Sequence, residues 1–252
     1  MSLLEVDELS VRHGVLLALD GVRLHVTEGQ IVGLIGPNGA GKTTFIDTIC
    51  GFTRPSDGRI TFDGQDLTRA PAHRRARAGL VRTFQSLELF DDMTVLDNLA
   101  VGTRSPSRWA TLTDALWPKS HDLSEAHRAL DLLGLWPLAD RLPTELSNGQ
   151  RHMVALGRAL AASPRLLLLD EPAAGLDPSE TTELATTLRR LPGLGISLLV
   201  VDHDMSLIMG VCDTVHVLDF GKVVASGPPE QIRHNPRVIA AYLGRPPAEG
   251  EA

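Results

Sequence analysis

Three short stretches of this 252-residue chain carry residue types that handle phosphate, at spacings that chemistry requires. The first is Gly36-Pro37-Asn38-Gly39-Ala40-Gly41-Lys42-Thr43, a full match to the phosphate-loop pattern G-x-x-x-x-G-K-[ST]. Glycines let backbone N–H groups turn inward around phosphate oxygens. Lys42 can reach the β- and γ-phosphates, and the Thr43 hydroxyl can ligate Mg²⁺. The second is Leu166-Leu167-Leu168-Leu169-Asp170-Glu171, an apolar strand ending in two acids. Adjacent carboxylates there are costly unless a cation or a water network receives them. Asp170 is placed to hold Mg²⁺ and Glu171 to polarise an attacking water. Between them lies Leu146-Ser147-Asn148-Gly149-Gln150, which by itself reads as a helix start with Ser147 as N-cap.

These residues need elements to position them. Residues 30–35 form an apolar strand entering the phosphate loop, and 42–50 a helix stopped by Gly51. That helix points its N-terminus, about half a positive elementary charge, at the bound anion. Upstream, residues 3–11 and 22–26 read as strands, and 59–62 as a strand before the turn Asp63-Gly64. Residues 71–79 read as a short basic helix, with Arg74-Arg75-Ala76-Arg77 as its solvated face, and 80–84 as a strand. The character then changes to helical. Thr94 with Asp97 marks one helix start, and 123–133 shows helical periodicity stopped by Gly134. Residues 103–120, with Pro106 and Pro118, are poor in periodicity.

Alternation resumes downstream: strand 166–169, helix 179–191, strand 196–201, helix 205–211, and a hairpin of 214–218 with 222–225. This order predicts a mainly parallel sheet. The division expected is a nucleotide-binding core of 1–85 and 163–244, a helical insertion of 86–162 carrying the central motif, and a loose tail of 245–252. Met93, Met153, Met205 and Met209 are expected to fill gaps in the core.

Composition narrows the function classes. A net charge of −7 argues against a nucleic-acid binder. The two cysteines, Cys50 and Cys212, form no close-spaced pair, so neither a disulfide framework nor a zinc site is indicated. The first residues lack the basic and apolar regions of a signal peptide, and the apolar runs are far too short to span a bilayer.

Other landmarks stand in a fixed order around the three motifs: Gln85 after a strand, Asp177 in Ala174-Gly175-Leu176-Asp177, and His203 in Asp202-His203-Asp204. With them the chain resembles the ATP-binding cassette (ABC) ATPases over nearly its whole length. The resemblance implies an α/β fold: a P-loop NTPase (RecA-like) core with an antiparallel β subdomain and an inserted α-helical subdomain. It implies ATP held by Gly36 to Thr43 and by Thr44, with Mg²⁺ on Thr43, Gln85 and Asp170. Glu171, His203, Gln85 and Lys42 would carry catalysis, with His203 bonding the γ-phosphate. Ser147 and Gly149, in the signature of Leu146, Ser147, Asn148, Gly149 and Gln150, would bind the γ-phosphate of ATP held by an opposite subunit. Asp177 matches the D-loop that crosses the dimer.

Two positions depart from the family pattern. Asn148 stands where the signature normally has glycine. Asn tolerates left-handed backbone better than most residues, so the motif is expected to survive. His13 stands where an aromatic residue usually stacks on adenine, and imidazole offers less area than Tyr or Phe.

Arg82-Thr83-Phe84-Gln85, Leu89-Phe90, Met93-Thr94-Val95, Asn98-Leu99 and the ending Pro236-Arg237-Val238-Ile239 with Ala241-Tyr242-Leu243-Gly244 are similar to the branched-chain amino-acid importer ATPases. Cassettes for urea or short amides, and the lipopolysaccharide-export ATPase, share much of this. The residues before Gln85 favour the amino-acid type over the lipopolysaccharide type. Soluble ABC proteins acting on ribosomes or DNA generally carry two cassettes or a long coiled-coil insertion, and this sequence has neither. The resemblance implies a second ABC ATPase subunit, identical or paralogous, transmembrane permease subunits and a periplasmic solute-binding protein. It places the chain at the cytoplasmic face of the inner membrane.

Overall fold

The structure, a computed structural model, describes residues 2–83, 88–103 and 123–243, except for the side chains of 240–243. The expectations for Gln85, for Pro106 and Pro118, and for the tail 245–252 fall outside these residues. The chain divides into two compact units, 1–85 with 165–252, and 86–164.

The first unit begins with two long strands, β1 (Ser2–His13) and β2 (Leu16–Thr27), paired antiparallel. The expected strand at 22–26 is therefore the second half of a longer one. Register shifts near Leu9 and Val11, with Glu8 at φ +50, break the period-two pattern that would have revealed the rest. β3 (Ile31–Ile35) leads into α1 (Lys42–Cys50). β4 (Asp57–Phe62) and β5 (Gln65–Asp66) complete a four-stranded sheet of order β2-β1-β4-β5. α2 (Ala72–Ala78) and β6 (Leu80–Arg82) follow.

After the second unit come β7 (Leu166–Asp170), β8 (Ser197–Val201), β9 (Thr214–Asp219) and β10 (Lys222–Gly227). They build a six-stranded sheet of order β10-β9-β3-β8-β7-β6, parallel except for β10. β3, β7 and β8 are buried along their whole length, as continuous apolar runs in a parallel sheet require. One apolar cluster joins Leu4, Leu24 and Phe62 of the antiparallel sheet, Leu34, Leu168 and Leu199 of the parallel sheet, and Phe45, Ile46 and Ile49 of α1. The helix that follows the phosphate loop is thus embedded in the core.

Arg75 overturns one expectation. Arg74 and Arg77 are exposed, as a solvated face requires, but Arg75 is 2% exposed. Its Nη1 donates to the carbonyls of Thr48 and Ile49 (2.7 Å each), the last turn of α1. Its Nε donates to Ala70 O (2.9 Å) and Nη2 to Thr68 O (3.1 Å). A cation at a helix C-terminus meets both the orphan carbonyls and the negative end of the dipole. The methionines differ as well. Met153 is buried and Met205 and Met209 are half-buried, but Met93 is exposed in the loop before Thr94.

The second unit is helical: α3 (Val95–Gly102), α4 (Ser124–Leu133) and α5 (Asn148–Ala161) pack against one another. Thr94 caps α3 in a capping box with Asp97, as its sequence spacing predicts. Asn98, fully buried, accepts from Phe90 N (2.9 Å). Its amide nitrogen lies 3.0–3.2 Å from the carbonyls of Phe90, Met93 and Thr94, fixing the loop ahead of α3.

α6 (Pro178–Arg190), α7 (Met205–Val211), α8 (Pro229–Arg233) and α9 (Pro236–Leu243) complete the first unit. In β9, His216 is 4% exposed, and neither ring nitrogen has a hydrogen-bond partner among the described residues. Burial, reinforced by the neighbouring His25, lowers its pKa to about 4.

Two predictions follow from these buried polar groups. Arg75→Met removes the bonds of four carbonyls to the guanidinium, and we expect a loss of about 3 kcal/mol, roughly 6–12 °C in Tm, by thermal denaturation. Arg75→Lys recovers little, because one ammonium cannot reach carbonyls on both sides. His216 is held neutral in the fold but protonates near pH 6.5 when unfolded. Its stability contribution is therefore present above pH 6.5 and is lost as pH falls towards 4. Urea denaturation of wild type and His216→Leu should give a stability difference that shifts by on the order of 3 kcal/mol across that window. A difference independent of pH would refute the neutral burial of His216.

Candidate nucleotide site

Four neighbouring parallel strands deliver their C-terminal ends to one edge of the sheet. β3 ends in the phosphate loop, β8 in Asp202-His203, β7 in Asp170-Glu171 and β6 in Arg82. Ligands of open parallel sheets bind along this edge.

The loop is shaped by its glycines. A Cβ on Gly36 would lie 2.1 Å from Leu218 O, and one on Gly41, at φ +108, 2.7 Å from Ala18 O. Only glycine lets the loop lie this close to the neighbouring backbone. Gly221, in the turn between β9 and β10, donates to Ala40 O (2.9 Å) and braces the loop from behind. Asn38 and Gly39 are exposed, with open space beside Gly39, while Pro37 and Thr44 are half-buried and Thr43 exposed. Gly41, the N-cap of α1, supplies no side-chain cap, so among the described residues the first amides of the helix have no capping side chain. Lys42 folds back, its Nζ donating to Gly36 O (2.6 Å) and Pro37 O (3.1 Å). Burial lowers its pKa, while Glu171 and Asp170 work the other way. A cation inside a glycine loop at an uncapped helix start fits a polyphosphate.

Asp170 is 6% exposed, and its Oδ2 accepts from Arg82 Nη2 (2.8 Å). Arg82 also reaches Asp47 of α1, Nη1 to Oδ1 (2.5 Å). Burial opposes the Arg82 charge, but the two carboxylates outweigh it and raise its pKa. Burial also raises the pKa of Asp170. Arg82 offsets this, and the nearby Glu171 and Asp47 reinforce it. Three carboxylates, Asp47, Asp170 and Glu171, thus face two cations, Arg82 and Lys42. That deficit of positive charge suits a divalent ion that shares its shell with phosphate and water.

Glu171 follows at φ +49, a left-handed conformation that costs a non-glycine residue on the order of 1 kcal/mol. It persists because its N–H donates to Val201 O (2.7 Å). Asp202, fully buried, ties the same two loops, accepting from Ala173 N (3.1 Å) and Asp204 N (2.9 Å). His203 projects outward, 65% exposed, with Nδ1 3.6 Å from Asp202 Oδ1, beyond hydrogen-bond distance. Asp177 is the N-cap of α6. Its Oδ1 accepts from Glu180 N (2.9 Å), Ser179 N (2.7 Å) and Ser179 Oγ (2.8 Å), and these bonds hold its pKa down.

The structure therefore gathers Lys42, Asp170, Glu171 and His203 along one edge. His13 sits exposed at the end of β1, opposite Leu16. The signature belongs to the second unit. There Ser147 caps α5, its Oγ accepting from Gln150 N (3.2 Å) while Gln150 Oε1 accepts from Ser147 N (3.0 Å). Asn148 is the first residue of α5, in helical rather than left-handed backbone. Sequence reasoning also missed Asp202, Asp47 and the pairing of Arg82. The signal for Asp202 was available, since it too is an acid ending a buried apolar strand.

Comparison with known proteins agrees with this geometry. The ABC transporter family matches residues 19–174, and the branched-chain amino acid ATP-binding cassette transporter family matches residues 222–248. The chain is 41% identical over 249 residues to the high-affinity branched-chain amino acid transport ATP-binding protein BraF of Pseudomonas aeruginosa, covering 96% of this chain and 98% of BraF. LivG of Escherichia coli K12, named for the same transport, is equally similar over the same shares. Among solved structures, the ADP conformation of MJ1267, an ATP-binding cassette of an ABC transporter, superposes with a TM-score of 0.87. It is 32% identical, over 97% of this chain and 99% of that one. Motif order, sheet topology and these likenesses lead to one conclusion: the chain belongs to the ABC transporter family, as an ATP-binding cassette with a P-loop NTPase core.

Proposed function

We propose that this chain is the ATP-hydrolysing subunit of an importer for branched-chain amino acids. The observation that carries the cargo class is the 41% identity, across almost the full length, to BraF and LivG, both named as branched-chain amino acid transport ATP-binding proteins. Among the described residues no helix is long and apolar enough to cross a membrane, so in this reading permease subunits supply the path. A periplasmic solute-binding protein delivers the cargo to them. The chain works at the cytoplasmic face of the inner membrane and uses no nucleic acid.

The chemistry follows from the strand ends. The phosphate loop and the first turn of α1 receive the triphosphate, and Lys42 exchanges its loop carbonyls for phosphate oxygens. Thr43, Asp170 and Gln85 would hold Mg²⁺, which would neutralise charge on the phosphates. Glu171 polarises the attacking water, and the strained turn that carries it is fixed by Val201 and Asp202. His203, exposed at the next strand end, hydrogen-bonds the γ-phosphate. His13 lies against adenine. The exposed N-terminus of α5, with Ser147 and Gly149, completes the site of an opposing subunit, identical or paralogous, across which Asp177 reaches. The γ-phosphate then favours a closed dimer because it is held from both sides, and hydrolysis removes that differential contact.

Glu171→Gln should keep ATP binding and trap a dimer while turnover in a phosphate-release assay falls by about 10²-fold or more. Wild-type turnover would rule out Glu171 as general base. Ser147→Arg should leave the ATP affinity of the monomer largely intact and abolish cooperative turnover. Unchanged turnover would show that the site is not shared between subunits. Uptake of radiolabelled leucine into cells lacking this chain tests the cargo: loss of uptake is expected, and undiminished uptake would remove the assignment.

A further inference from the structure

Arg82 ends β6, the outermost parallel strand, and sits in register with Leu168, two residues before Asp170 on the adjoining strand. Residues two apart share a face of a strand, so the guanidinium lies alongside the Asp170 carboxylate. Its other arm reaches Asp47, on the helix whose first residues are Lys42 and Thr43. The side chains of Arg82 and Asp170 are 11% and 7% exposed, so neither charge is left to water. A planar fork presents separate, fixed N–H groups to the two carboxylates, whereas an ammonium is a single point charge without that geometry.

We infer that Arg82 is a positioning residue for nucleotide-bound Mg²⁺: its bridge from Asp47 to Asp170 fixes the carboxylate of β7 against the helix that carries Lys42 and Thr43. A carboxylate offers about four lone-pair sites, so one bond to Arg82 leaves capacity for a metal. In this role Arg82 acts through Asp170. Partners that orient a metal-binding carboxylate set the strength and geometry of the site as surely as the ligand itself. The inference rests on the ATPase reading proposed above, and on the assignment of Asp170 to the metal within it.

The test uses the whole chain with ADP as the probe. Calorimetry gives the ADP Kd with Mg²⁺ and with EDTA, and their ratio is the gain from the metal. Arg82→Gln should reduce that gain about tenfold while the Kd in EDTA stays near the wild-type value. Arg82→Lys keeps the charge and should fold even if Arg82→Gln does not. It should lose a similar part of the gain, because a point charge does not hold both carboxylates in the fixed geometry of the fork. Asp47→Asn keeps an oxygen acceptor for Arg82 but weakens the anchor, and should fall between. An unchanged gain in Arg82→Gln and Arg82→Lys would overturn the inference. A larger gain would also overturn it, by making Arg82 a competitor of the metal. An equal loss of affinity with and without Mg²⁺ would reduce Arg82 to a brace of the fold. Failure of the wild-type chain to bind ADP at all would instead strike the ATPase reading itself.

Discussion

The helix after the phosphate loop must hold its positive end open while buried in a core that tolerates no loose charge. That constraint organises the first unit. A helix usually satisfies its first amides with a side-chain cap, and α1 has glycine there, so those donors face outward for an anion. The opposite end is closed instead. Arg75 places a buried guanidinium against Thr48 and Ile49, where the last carbonyls and the negative dipole would otherwise be stranded. Gly51 seals the same end, its N–H donating to Thr48 O. Asp47, between the two ends, is gripped by Arg82. The apolar face of Phe45, Ile46 and Ile49 then fixes the rotation of the helix in the cluster shared by both sheets. The helix can therefore present a charge to a ligand without reorganising.

The parallel sheet extends the same logic. β3, β8, β7 and β6 all end at one edge, so groups far apart in sequence meet without long loops. Asp47, Asp170 and Glu171 outnumber Arg82 and Lys42, so the charge balance among these five groups is negative. Burial raises the pKa of Asp170, and Arg82 works against it. Asp202 contributes differently. It receives backbone N–H groups from Ala173 and Asp204, which ties the strained turn at Glu171 to the loop bearing His203.

Much of this was legible in the sequence, because the chemistry is local. The loop Gly36 to Thr43, the apolar run into Asp170, and the caps at Thr94 and Ser147 each depend on residues a few positions apart. The limits of α1 and α7 also follow from local stop and start signals. What escaped depends on tertiary partners. Arg75 stands in a run of arginines that reads as solvated, and its burial follows from carbonyls 26 and 27 residues earlier. Arg82 pairs across 35 and 88 residues. β2 lost its first half to irregular pairing near Leu9 and Val11, where strict alternation fails. Met93 went the other way, since an apolar side chain in a loop carries no periodicity to show which side it faces.

Asn148 clarifies what the signature asks of its backbone. Asn148 opens α5 in ordinary helical geometry, so this position makes no use of the left-handed freedom that Asn tolerates. Asn is a better helix residue than glycine, so the exchange favours the helix and changes only the side chain over its first turn. Ser147 resolves a second apparent conflict, between a capping residue and a phosphate ligand. As a cap its Oγ uses a lone pair to accept from Gln150 N, and a hydroxyl also carries one O–H donor. The lone pair holds the helix start in place, and the proton remains for an anionic oxygen. One hydroxyl can thus serve the fold and the proposed ligand together, provided that α5 keeps its first turn exposed, as it is at Ser147 and Asn148.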